Sequence, residues 1–173
     1  MGLKPLPPPP ETNRLLRAAA ERYAELVRGA LGENLVSVVL FGSVARGEAG
    51  ANSDIDFLIV AEELPAGRFA RLRLLEGADR EFEPDLDRLR ALGLDPRLAR
   101  LVRTRTEAAT LVPLYLDLVE DARLLYDPAG FFRSVLARLK ASLQRLGSER
   151  RMRGKVRYWV LKPDAAPGEV IEL

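Results

Sequence analysis

The chain has no cysteine and no histidine among its 173 residues. That absence removes disulfides, zinc sites built from nitrogen and sulfur, and every nucleophile that depends on a Cys–His or Ser–His pair. Acid–base chemistry is left to carboxylates, lysine and tyrosine. Any metal must be a hard cation held by oxygen, which favours magnesium or manganese. Long apolar runs are missing as well. None reaches the roughly 20 residues of a membrane span, and the first residues lead into prolines instead of the apolar core of a signal peptide. The expected location is the cytoplasm, with no membrane partner.

What is present is the balance of one globular domain: 47% apolar and 30% charged residues, with a net charge of +2. All but four of the 27 cationic side chains are arginines. Their planar forks suit phosphates and carboxylates, although a GC-rich coding sequence produces the same bias.

Residues 1–10 form a proline-rich flexible arm, and 11–127 are the expected main domain. Residues 128–173 add a C-terminal helix and a basic, aromatic tail packed on the same unit. Thr12 is a plausible N-cap for an amphipathic helix carrying Leu16, Tyr23 and Val27, which Gly32 stops. Leu35–Phe41 and Ile55–Val60 are short β-branched apolar runs and read as buried strands. Arg68–Leu75 reads as a helix with Phe69, Leu72 and Leu75 on one side, and Pro84 ends whatever continues from it. Residues 85–95 fit no single pattern. Leu98–Arg105 reads as a third strand. A helix from about Thr106 then holds Val112, Leu116 and Val119, with Pro113 against it, and Arg123–Tyr126 is a brief apolar segment. Asp127 and Pro128 supply an N-cap and a first-turn proline for a last helix, which carries Phe132, Val135, Leu139 and Leu143 and ends at Gly147.

The informative stretch runs LFGSVARGEAGANSDIDFLIV from Leu40 to Val60. A buried strand delivers Gly42 and Ser43 to a turn. There the missing side chain of glycine lets backbone N–H groups approach an anion, and serine adds a hydroxyl donor. A short helix after the turn would favour negative charge at the same spot, so phosphate is the natural occupant. Asp54 and Asp56, two apart at the head of the next strand, point the same way. Two carboxylates that close repel unless a cation lies between them, and a divalent ion is the economical partner. Arg46 either adds a phosphate contact or braces the loop by pairing with a carboxylate.

Gly42-Ser43, then Ala45-Arg46-Gly47, then Ser53-Asp54-Ile55-Asp56 resemble the signature of the nucleotidyltransferase superfamily, which includes DNA polymerase beta and the prokaryotic minimal nucleotidyltransferases. The resemblance covers about 21 residues. More loosely, LYLDLVEDARLLYD and the ending YWVLKPDAAPGEVIEL are similar to stand-alone members with a helical C-terminal extension. The resemblance implies an α/β (α+β) fold with a small mixed sheet flanked by helices, and Mg2+ or Mn2+ on Asp54 and Asp56. It further implies transfer of a nucleoside monophosphate from a triphosphate, ATP first among them, to a hydroxyl.

Family members supply a third carboxylate from a later strand, but here that strand reads RLARLV and offers arginine. Asp117 is the provisional third acid; Asp85 and Asp87 repeat the spacing of two. Two functional classes follow. One is an enzyme acting on a protein partner, as the minimal family's pairing with helical HEPN-type toxins implies. The other is a nucleotide-binding module of the same fold with little transfer, meeting nucleic acid or protein through arginines. Arg150, Arg151, Arg153, Lys155 and Arg157, ahead of Tyr158 and Trp159, form either a nucleic-acid platform or a solvated face beside packed aromatics.

Overall fold

The computed structural model describes residues 9–173 except 155, 167 and 172 and the side chain of Val156. The core is a four-stranded mixed sheet in the order β3-β2-β1-β4, made of β1 (Leu35–Phe41), β2 (Ile55–Ala61), β3 (Leu98–Thr104) and β4 (Arg123–Tyr126). β1 runs antiparallel to both neighbours, pairing Phe41 with Asp56 and Val39 with Leu124. β2 and β3 run parallel, with Asp56 beside Ala99. The two interior strands are covered on both faces, which is why LVSVVLF and IDFLIV are continuous apolar runs.

Alternation along β2 sorts two cores. Ile55, Phe57 and Ile59 face α1 (Pro9–Leu31) and α4 (Glu76–Ala91), where the ring of Tyr23 lies 5.1 Å from those of both Phe57 and Phe82. Leu58 and Val60 face the other layer, built from α5 (Arg105–Ala109), α6 (Leu114–Asp121) and α7 (Phe131–Arg145). There Tyr115 meets Phe132 edge-on at 5.3 Å. The buried Ser37 hydroxyl donates to Asp127 at 2.7 Å, and the same carboxylate accepts the N–H groups of Phe132 and Arg133. A single acid thus ties the central strand to the first turn of α7.

Several expectations need correction. α1 begins at Pro9, so Thr12 lies inside the helix and buried, and Pro9 and Pro10 belong to the first turn, where no N–H is missed. Residues 1–8 of the expected arm lie outside the described residues, as does Lys155. Pro84 does not end a helix: it sits on the exposed face of α4, where the carbonyl that loses its helical donor is open to solvent. Residues 85–91 complete that helix. The short helix α3 (Arg68–Arg73) leaves Phe69 77% exposed rather than packed. The segment around Pro113 is two helices, α5 and α6. α7 starts at Phe131, so Asp127 caps it from four residues upstream, across Gly130 in the left-handed region. The basic tail folds into a hairpin of β5 (Glu149–Arg153) and β6 (Val156–Val160).

Candidate active site

β1 ends at Phe41 and the chain reverses at Gly42, whose φ is +72°, into α2 (Gly42–Arg46). A β-carbon on Gly42 would lie 2.1 Å from Oδ2 of Asp56. Both the left-handed backbone and the close approach therefore demand glycine. The sequence explained the missing side chain by an incoming phosphate; in the structure Asp56 itself takes the space. α2 ends at Gly47, again with positive φ, and its last carbonyls are held by cations. Arg17 donates to Val44 and Ala45 at 3.1 and 3.0 Å, and Arg123 donates to Ala45 at 3.0 Å.

The connection to β2 is fixed by short bonds. The Glu48 N–H donates to the Ser43 carbonyl and the Ala49 N–H to Asn13 Oδ1, while the Ser53 hydroxyl oxygen accepts the Gly50 N–H, each at 2.9 Å. This loop delivers Asp54, exposed, and Asp56, half-buried, to the head of β2 on the face opposite α1 and α4. Burial, then the negative charge of Asp54, pushes the Asp56 carboxyl above its ordinary range, with Arg46 opposing. A divalent cation would relieve both causes, so the donor set fits magnesium or manganese. No group of three metal-binding side chains occurs among the described residues, so the remaining positions on such an ion would fall to triphosphate oxygens and water.

Arg46 sits beside this pair with its Nε donating to Glu48 Oε2 at 2.8 Å and an Nη 3.8 Å from Asp121. Asp117, in the first turn of α6, lines a small cavity of about 190 Å3 together with Gly42, Arg46 and Asp121. Its side chain is 56% exposed and lies 3.6 Å from Arg150. Asp121 is gripped by both Nη atoms of Arg150, at 3.1 and 2.7 Å, which hold its carboxyl below the usual carboxylate range. β3 carries no acid, and the residue beside Asp56 is Ala99. Asp85 and Asp87 stand on α4, across the sheet from Asp56, paired with Arg88 and Arg90. Sequence reasoning missed Glu48 and Asp121, and it placed Arg150 and Arg157 in a tail without direction. The β-branched and aromatic residues Val156, Tyr158, Trp159 and Val160, following Gly154, were the available signal for the hairpin.

Residues 24–134 match the family described as the nucleotidyltransferase domain, and the chain belongs to that family. The expected enzyme class is the class of this family. A protein of Methanocaldococcus jannaschii, named provisionally as a protein adenylyltransferase, is 26% identical over 133 residues, covering 77% of this chain and 86% of its own. Among solved structures, a mutant MntA–HpeT toxin–antitoxin is similar, with a TM-score of 0.46 and 20% identity, over 73% of this chain and 88% of that one. A Shewanella oneidensis complex of a tri-AMPylated HEPN toxin with MNT antitoxin gives a TM-score of 0.40 and 18% identity, over 76% and 92%. No helix among the described residues is long and apolar enough to cross a membrane.

Proposed function

We propose that this nucleotidyltransferase uses magnesium or manganese to move a nucleoside monophosphate, adenylate first among them, from a triphosphate to a hydroxyl on a protein. The observation that carries the reading is Asp56 pressed against the Gly42 backbone with Asp54 beside it, one acidic pair set directly on the glycine turn between β1 and α2. The name of the archaeal relative supports adenylate and a protein acceptor. A small helical partner of the HEPN type, implied by the sequence resemblance, would present that hydroxyl.

Asp54 and Asp56 would hold the metal, which would supply positive charge to offset the charge developing on the triphosphate oxygens. Gly42 and Ser43 hold the phosphates in line with the acceptor. The acceptor oxygen bonds to the α-phosphorus, the bond from that phosphorus to the bridging oxygen breaks, and pyrophosphate leaves. The acceptor proton needs a base. Asp121 is a poor one, locked by Arg150 and held ionised; Asp117 shares its cavity and remains open, so it takes the role. The absence of an acid on β3 favours a second reading, a nucleotide-binding module with little transfer.

The test is incubation with magnesium and ATP labelled at the α- or the γ-phosphate, with and without a candidate helical partner. Label should pass to protein from the α-position only, and Asp54→Asn with Asp56→Asn should abolish it. Transfer of γ-label would overturn the reaction class. Metal-dependent ATP binding without transfer to any partner would favour the binding module.

A further inference from the structure

Register sorts the residues of the C-terminal hairpin. Arg150 faces Trp159 across the strands and Met152 faces Arg157, so the period of two puts Arg150, Arg157 and Trp159 on one face. That face turns to the domain: Trp159 packs against the core under α6 and α7, Arg150 grips Asp121, and Arg157 reaches Glu48. Arg151 and Tyr158 take the other, exposed face. The arginines are thus divided by the hairpin into an inward pair and an outward set.

The inward pair meets Arg46 around a polar cavity of about 260 Å3, lined by Arg46, Glu48, Asp117, Arg150 and Arg157. It adjoins the smaller cavity at Gly42, since Arg46 and Asp117 line both. Around the two adjoining cavities three carboxylates, Glu48, Asp117 and Asp121, answer the three guanidiniums, and they are held unequally. Asp121 is 16% exposed and fixed by Arg150. Glu48 is 46% exposed, yet it takes the fork of Arg157 on both oxygens and the Nε of Arg46 as well. A planar fork and a second arginine closing on one open, acceptor-only group is how guanidiniums take a phosphate.

We propose that Arg157 and Arg46 form a subsite for the β- and γ-phosphates of the triphosphate, and for the departing pyrophosphate, and that Glu48 is its placeholder in the free protein. This rests on the nucleotide site at Gly42 and Asp56. On binding, the half-exposed Glu48 carboxylate turns to solvent and the polyphosphate takes its donors, so charge in the cavity is exchanged. Asp121 stays with Arg150, which keeps the hairpin docked. The hairpin thereby becomes part of the nucleotide site, although it lies more than a hundred residues from the phosphate turn in sequence: Arg157 and Glu48 are 109 apart.

The sign of one substitution separates this from a structural brace. Titration of the full chain with magnesium pyrophosphate, magnesium ATP and AMP, read by calorimetry, should show Glu48→Gln binding pyrophosphate and ATP several-fold more tightly, because the competing anion is gone. Arg157→Gln should bind both about tenfold to a hundredfold more weakly. AMP, lacking the outer phosphates, should bind both variants as it binds wild type. If Arg157→Gln loosens the hairpin, shown by Trp159 fluorescence, Arg157→Lys keeps the charge without the fork and should still weaken pyrophosphate. Glu48→Gln weakening pyrophosphate, or Arg157 variants affecting AMP as much as ATP, would overturn the proposal. Wild type that binds neither ATP nor AMP would overturn the nucleotide site itself.

Discussion

A β-carbon at position 42 and the carboxylate of Asp56 compete for one volume, 2.1 Å apart if both were present. The glycine turn proposed to hold phosphate and the acidic pair are therefore a single built object. Gly42→Ala should push Asp56 off its position and strain a backbone at φ +72°, at about 1–2 kcal/mol. Gly50→Ala, with nothing within 4 Å and no left-handed backbone, should be nearly neutral. Thermal unfolding should separate the two, and metal–ATP affinity should fall on the order of tenfold or more only at position 42.

Asp56 also sets a stability trade-off. Its carboxyl titrates above the ordinary range in the folded protein, so the unfolded chain gives up the proton at lower pH. Ionised Asp56 then counts against folding at neutral pH, and that penalty disappears below the ordinary carboxylate range. Asp56→Asn should raise the melting temperature of metal-free protein at pH 7, with the gain shrinking in acid. The same variant should lose the stabilisation that magnesium and ATP give wild type. A lower metal-free melting temperature would count against the cost of burying ionised Asp56 beside Asp54.

The sheet's two central strands and the site block were legible because their signals are local. Leu35–Phe41 and Ile55–Ala61 are buried on both faces, and Gly42, Asp54 and Asp56 lie within 15 residues of one another. What failed was decided by context. Pro84 is tolerated because its side of α4 meets water, and Pro113 divides α5 from α6 at a place no periodicity marks. The direction of the basic tail depended on carboxylates at Glu48 and Asp121, whose nearness to the hairpin only the tertiary fold creates.

Acid should loosen the Arg157 end of the hairpin within a defined window. The Arg157 guanidinium, with Arg46, holds the Glu48 carboxyl at about 2, against an ordinary 4.5. A lowered folded value contributes stability that is present above the unfolded value and lost as pH falls through the folded one. The Arg157 end of the hairpin should therefore loosen from about pH 4.5 downward, while Arg150 still grips Asp121. Trp159, the single tryptophan, reports it, because it packs on the domain from the same hairpin face as Arg157. In Glu48→Gln this acid-dependent change should be reduced. An unchanged fluorescence profile would show that the Glu48 contact does not hold the hairpin down.

Asp117 and Asp121 lie one helical turn apart on α6 and share the cavity at Gly42, yet their substitutions should fail differently. Asp121 is mostly buried under both Nη atoms of Arg150, whose Nε is itself buried without a partner. Asp121→Asn leaves that guanidinium with no ionised partner so closely bound. It should cost about 2 kcal/mol of stability and loosen the hairpin that carries Arg150. Asp117 is open and only 3.6 Å from Arg150 at its nearest, so Asp117→Asn should leave stability nearly unchanged. If it is the base, metal–ATP affinity should hold while transfer falls about 100- to 10,000-fold. The loss should shrink when the acceptor hydroxyl is replaced by one of lower pKa, because a more acidic acceptor needs less help losing its proton. That dependence distinguishes a base from a residue that merely shapes the cavity, for which all acceptors would be slowed alike. Transfer that survives Asp117→Asn intact would remove α6 from the chemistry and leave Asp54 or Asp56 to receive the proton.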